Sequence, residues 1–281
     1  MTKPSFKIFL PFLVFFFSFC NNSEKNDENI VDYNTKQAVQ ETKLNAQNVF
    51  NSMPDRKLIL KLIEDNKIEY NPDFLNDPNS LSKYTVEFYK AANLGIYGSD
   101  LSIANSFDQT QESMVFLKCV NSLAANIGVN KAFDQVMFDR MEANRANKDS
   151  TLEIITGAFK KADEILKVNN RPSTSAVILA GSWVEGLYVS CQMAKTANGE
   201  KIIKTIIDQN ESLKNLVIML EASDLATETE YIVTDLKSIK DAFNVAETNT
   251  VHNLETIKTI TEKVTLLRNK LISGGTFNLK V

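Results

Sequence analysis

Wound as a helix, the segment Ala176–Met193, AVILAGSWVEGLYVSCQM, is apolar on nearly every side. A helix of that character belongs in the middle of a fold, so other elements have to surround it. Val177, Val184, Leu187 and Cys191 line one side, while Ile178, Trp183 and Val189 line others. Ala180, Gly181 and Gly186 are small enough for neighbouring backbones to approach closely. One residue resists the pattern. Glu185 stands inside the run, with Ser182 one turn before it and Gln192 two turns after. An isolated buried charge is too costly to keep, so Glu185 requires a partner. Either a lysine, an arginine or a backbone group within the fold supplies it, or Glu185 faces a ligand in an interior cleft.

The elements that surround this helix are themselves helices. Ile203, Ile206, Ile207, Leu213, Leu216, Val217 and Leu220 recur at three- and four-residue steps, as do Ile232, Leu236, Ile239 and Phe243. Val251, Leu254, Ile257, Ile260, Val264, Leu267 and Leu271 form a last stripe. No stretch alternates with the two-residue period of a strand, and no internal repeat of fixed period is present. Ser150 with Glu153, Thr227 with Glu230 and Asp108 with Gln111 have capping-box spacing. Pro172 suits a first helical turn. Gly128, Asn198-Gly199 and Gly274-Gly275 supply left-handed positions at helix ends. The connections are short, which favours antiparallel neighbours. The expected fold is an all-α, antiparallel multi-helix bundle of roughly eight to nine helices with a disordered N-terminal tether. Residues 38–281 form its single helical domain. A soft division near Asn169 to Pro172 separates two groups of helices without marking a domain boundary.

A second segment departs from simple amphipathicity. Tyr84–Phe107, YTVEFYKAANLGIYGSDLSIANSF, packs aromatic and small residues around Gly95 and Gly98. Glycine inside a helix costs about 1 kcal/mol relative to alanine, so the pair implies a kink or a close helix contact. Tyr97 and Asp100 follow one turn apart. Asp100 either caps a new helix after a break or faces a cavity together with Tyr97.

The beginning of the chain speaks of location. Lys3 and Lys7 precede an apolar run from Ile8 to Phe19, and Cys20 follows directly. The run is too short to cross a bilayer, which takes about 20 apolar residues in a helix, and Pro11 interrupts it. Residues 1–19 therefore read as a lipoprotein signal peptide, with Cys20 as the lipidated residue, the alternative being an ordinary secretory signal with an incidental cysteine. Ser18 and Cys20 fit the processing motif, whereas Phe19 is bulky where a small residue is preferred. The following NNSEKNDEN, Asn21–Asn29, has no apolar residue and belongs to a solvated tether over residues 20–37. Removal of residues 1–19 takes away two lysines and no acid, leaving a body more acidic than the full chain's net charge of −4. Basic residues form no block, which argues against nucleic acid as a partner.

The phrases NLGIYGSDLSIANSF and GSWVEGLYVSCQM resemble those of a group of uncharacterised helical lipoproteins of Bacteroidota, over most of the body from Pro54 to Lys195. The resemblance implies a helical fold and an envelope location, and it carries no activity. In Bacteroidota lipoproteins an acid-containing stretch after the cysteine directs export to the cell surface. Glu24, Asp27 and Glu28 resemble such a stretch, with Lys25 and Asn26 interrupting it.

Catalytic chemistry is poorly served. His252 is the sole histidine, placed at the start of a helix with no motif around it. A serine or cysteine triad needs a placed base, and zinc sites draw on several His or Cys ligands. No phosphate loop occurs, and no metal or cofactor is implied. Cys119 and Cys191 lie on apolar faces, where they either remain buried free thiols or pair as a disulfide in an oxidising envelope. The expected function is a lipid-anchored helical binding or scaffold protein of the bacterial envelope. It would sit at the outer membrane, periplasmic or surface-exposed, with another envelope protein as partner. The alternative is a small-molecule-binding or hydrolytic protein with an interior cleft near Tyr97, Asp100, Trp183 and Glu185.

Overall fold

The computed structural model describes residues 56–197, 199–225 and 230–276. The expected signal peptide, Cys20, the tether, Thr227 and Asn198 lie outside the described residues. Among the described residues there are ten α-helices and no strand, so the chain is all-α. The helices are α1 (Arg56–Asp65), α2 (Glu87–Ser106), α3 (Thr110–Ile127), α4 (Gln135–Ala143), α5 (Lys148–Val168), α6 (Pro172–Ala197), α7 (Glu200–Ile207), α8 (Asn210–Glu221), α9 (Tyr231–Glu247) and α10 (Lys258–Ile272). Three short 3-10 turns, Pro72–Phe74, Pro78–Lys83 and Asn130–Ala132, complete the set.

The segment that is apolar all round becomes most of α6, which is the hub. It packs most extensively on α2 and also touches α5, α7, α8 and α10. Fifteen of its residues are buried, from Thr174 to Ala194. Helices with one apolar stripe surround it: Ile203 and Ile206 of α7, Leu213 and Leu216 of α8, Ile239 and Phe243 of α9, and Val264 and Leu267 of α10 are each exposed by 2% or less. The three-residue link 107–109 folds α3 back along α2, giving an αα-hairpin.

Glycines in both segments that break the amphipathic rule explain why α2 and α6 lie so close. A Cβ on Gly95 would stand 1.9 Å from the Ile178 carbonyl oxygen, and one on Gly181 would stand 2.0 Å from that of Ala92. Each helix thus presents a bare backbone to the other's carbonyl. Gly98 serves α5 instead, since its Cβ would meet the Phe159 ring at 2.2 Å. α2 runs unbroken through both glycines, so close contact and not a kink accounts for them. Asp100 is correspondingly a mid-helix residue and caps nothing. Gly186 meets no atom within 4 Å of where a Cβ would be, so the close approach expected there is absent.

Several helix ends differ from the expected ones by a turn. α5 starts before Ser150, because the Asn147 side chain accepts the Ser150 backbone N–H at 3.0 Å. Asparagine is as good a cap as serine, and the earlier start lets Thr151 and Leu152 reach the core. Asp108 does not cap α3. Its backbone is left-handed, with φ +60°, and its carboxylate turns to Lys148 at 2.7 Å. Gly128 ends α3 in the left-handed region at φ +81°, and Pro172 opens α6, both as expected. Gly274 and Gly275 follow α10 at φ +65° and +94°. Gly199 instead precedes α7 in extended backbone. His252 falls in the turn before α10 and not in a helix, since α10 begins only at Lys258.

Candidate functional site

The polar residues singled out from the sequence converge on the interior, where α2, α6 and α10 meet the segment between α1 and α2. Glu185 is fully buried, and its partner is Arg268 of α10. The guanidinium grips it with two parallel hydrogen bonds, Nε to Oε2 at 2.6 Å and Nη2 to Oε1 at 2.7 Å. This is the fork geometry that makes arginine the preferred partner of a buried carboxylate. Arg268 also donates to the Phe74 carbonyl at 3.3 Å and lies 4.2 Å from the centre of the Tyr188 ring. Burial alone would lower the Arg268 pKa, but the charge and hydrogen bonds of Glu185, aided by Asp100, carry it above its ordinary value.

Asp100 comes to the same place from α2 and is fully buried. Its Oδ2 accepts the Asn76 backbone N–H at 3.2 Å, while Oδ1 finds no donor. Burial, then the charge of Glu185, hold its carboxyl well above the ordinary range, against the pull of Arg268. Two ionised carboxylates beside one guanidinium would leave a net negative charge in the interior. A proton on Asp100 would bring the trio to neutrality, in keeping with the raised pKa.

A chain of neutral hydrogen bonds extends the cluster. The Asn76 side chain donates to the Tyr84 hydroxyl at 3.0 Å and to Asn93 Oδ1 at 3.3 Å. Asn93 in turn donates to the Tyr89 carbonyl at 2.9 Å and to the Leu271 carbonyl at 3.0 Å, near the end of α10. Tyr97 lies beside Tyr84, with ring centres 6.3 Å apart, and its hydroxyl donates to the Asp77 carbonyl at 2.8 Å. Burial raises the pKa of both tyrosines. These bonds clamp the segment 74–84 onto the bundle.

Of the four residues expected at a cleft, Asp100 and Glu185 are brought together and Tyr97 stands nearby. Trp183 belongs elsewhere, packed against Phe243 of α9 with ring centres 6.4 Å apart. None of the four is more than 4% exposed. Their arrangement does the work of a structural clamp. Arg268 escaped the sequence reading, although a signal was present: it lies four residues after Val264 and three before Leu271, within the apolar stripe of its own helix. Asn76 and Asn93 carried no such signal.

Cys119 and Cys191 are buried free thiols, pushed up by burial to about 11 and about 12. Among the described residues no group of three His, Cys, Asp or Glu side chains is placed to hold a metal ion. No described helix is long and apolar enough to cross a membrane. Compared with known protein families, curated proteins and solved structures, the chain matches none.

Proposed function

We propose that this chain is a lipid-anchored helical binding or scaffold protein of the bacterial cell envelope, held at the outer membrane through Cys20. The observation that carries this reading is the order of the first residues: Lys3 and Lys7, the apolar run Ile8–Phe19, then Cys20. The resemblance to helical lipoproteins of Bacteroidota points the same way. On this reading the lipid supplies the attachment, since two or three acyl chains suffice for a stable anchor. The polar tether then gives the helical body reach towards another envelope protein. A binding or scaffold role is favoured over catalysis because the most elaborate polar cluster, Asp100, Glu185 and Arg268, is spent on holding helices together.

The test is detergent-phase partitioning of the chain made in a lipoprotein-processing bacterium. The wild type is expected to enter the detergent phase and to incorporate a labelled fatty acid. Cys20→Ala is expected to do neither. A processed Cys20→Ala chain that stays with the membrane would overturn the anchor.

A further inference from the structure

Residues 74–84 include no α-helix, only the 3-10 turns at Pro72–Phe74 and Pro78–Lys83. Of their buried side chains, Leu75 and Tyr84 are matched by the polar Asn76 and Ser80. A segment that buries so little apolar surface draws its hold from polar bonds, and such segments are the first to open locally. Those bonds run to the charged interior. Asp100 Oδ2 accepts the Asn76 N–H at 3.2 Å, and Arg268 Nη2 donates to the Phe74 carbonyl at 3.3 Å. Farther along, Tyr97 donates to the Asp77 carbonyl at 2.8 Å, and Cys119 Sγ lies 3.9 Å from the Pro78 oxygen. α2, α6 and α10 each supply one member of the trio Asp100, Glu185 and Arg268, and the segment lies against two of them from outside these helices, as a strap.

The interior beneath the strap does not balance if every acid is ionised. Glu185 has both oxygens in the Arg268 fork, whereas Asp100 Oδ1 has no donor. The other titratable groups facing Asp100 are Tyr97 on its own helix, Cys119 of α3 and Tyr70 before the strap, while Tyr84 of the strap faces Arg268. Burial raises all four, Cys119 to about 11, so each is neutral through the acid and neutral range. Charge there rests on Glu185, Arg268 and Asp100 alone. An ionised Asp100 is then a surplus buried charge, whose cost is relieved once water reaches it.

We propose that residues 74–84 form a proton-linked strap, closed while Asp100 is neutral and opened by local unfolding when Asp100 ionises. Opening frees the Phe74 and Asn76 backbone, lets water hydrate the carboxylate, and uncovers Arg268, Glu185 and Cys119. The sign follows from linkage: the closed form holds the proton at pH values where the open form, with Asp100 in water, has released it. Rising pH therefore favours the open strap, by at most about tenfold per pH unit for one proton. That dependence starts near the ordinary aspartate value of 3.8 and ends at the raised value of the closed form. The device does not depend on lipid attachment, and it gives the helical body a charged face that acid conceals.

Cys119 reports the opening. The full chain is labelled with a pyridyl disulfide, which reacts with thiols from acid to neutral pH, and peptide mass spectrometry reads Cys119 apart from Cys20 and from Cys191, which is fully buried within α6. Comparison with Asp100→Asn at each pH cancels the thiol's own titration. The ratio of wild-type to Asp100→Asn labelling at Cys119 is expected to climb with pH, while Cys191 stays unlabelled. Tyr97→Phe removes a strap bond outside the trio, so it should raise Cys119 labelling by roughly two- to tenfold at every pH and keep the wild-type slope. Amide exchange of the wild type reads the strap without any variant. Corrected for intrinsic rates, the Asn76 and Ser80 N–H groups should lose protection with rising pH faster than those of Val184 and Val189 in α6. A constant labelling ratio across pH would overturn the proton link. Cys191 labelled in step with Cys119, or strap and α6 amides losing protection together, would overturn the local opening.

Discussion

Two carboxyl groups and one guanidinium share the interior at Asp100, Glu185 and Arg268, and the balance of charge there favours the neutral form of Asp100. Asp100 is held well above its ordinary value of 3.8, first by burial and then by Glu185. Between that ordinary value and the folded-state value, the unfolded chain has released its proton while the folded chain keeps it. The folded state is therefore disfavoured increasingly as pH climbs through this window, and the loss levels off above the folded-state value. Asparagine stands in for the neutral acid and keeps an oxygen for the Asn76 N–H. As pH rises above the ordinary aspartate value of 3.8 the wild type should lose stability relative to Asp100→Asn, as read from urea midpoints at a series of pH values. Parallel pH profiles would mean that the proton is not on Asp100. The need for a partner at Glu185 was legible in the sequence, because an isolated buried charge is too costly to keep; whether a protein group or a ligand met it was left open. The alternative reading already set Asp100 near Glu185 at an interior cleft; that Arg268 joins them was not legible, since only helix packing brings α10 to the pair.

At the scale of the element, α2 and α6 are held by backbone contact at Gly95 and Gly181. The same helix supplies its own control, because Gly186 faces open space. Gly181→Ala would push a methyl into the Ala92 carbonyl and should cost about 3 kcal/mol, at the upper end of overpacking effects. Gly186→Ala should instead stabilise the chain by about 0.5–1 kcal/mol, through helix propensity alone. Chemical denaturation of the two variants checks both signs. Small residues in both segments announced close packing, and the sequence left open which glycine meets which neighbour. That choice depends on the rotation of one helix about its axis relative to the other. Helix ends were less legible for a related reason: Asn147 and Ser150 are both good caps, and burial of Thr151 and Leu152 decided between them.

For the molecule as a whole, α6 is contacted by α2 and α5 from the earlier half of the sequence and by α7, α8 and α10 from the later half. The turn at Asn169 to Pro172 is thus a covalent link and no boundary in the packing. A fragment of residues 56–168 lacks the helix against which α2 buries its glycine face, and it leaves Asp100 without Glu185 and Arg268. Such a fragment should show no cooperative thermal transition by circular dichroism, whereas the chain containing α6 to α10 should show one. A sharp transition in the fragment would give the earlier helices a core of their own.

Taken alone, the sequence determined the helical class, the interior position of α6, the necessity of a partner for Glu185 and the signal-like order of residues before Cys20. All of these follow from local spacing and composition, which determine how a segment sets apolar against polar surface. Only the tertiary structure decided that Arg268 answers Glu185, that Asp100 lies mid-helix beside the pair instead of capping a helix, and that Trp183 goes to Phe243. Each of these pairs residues from different helices. Their proximity is set by which faces interlock, and that depends on the fit of the whole core.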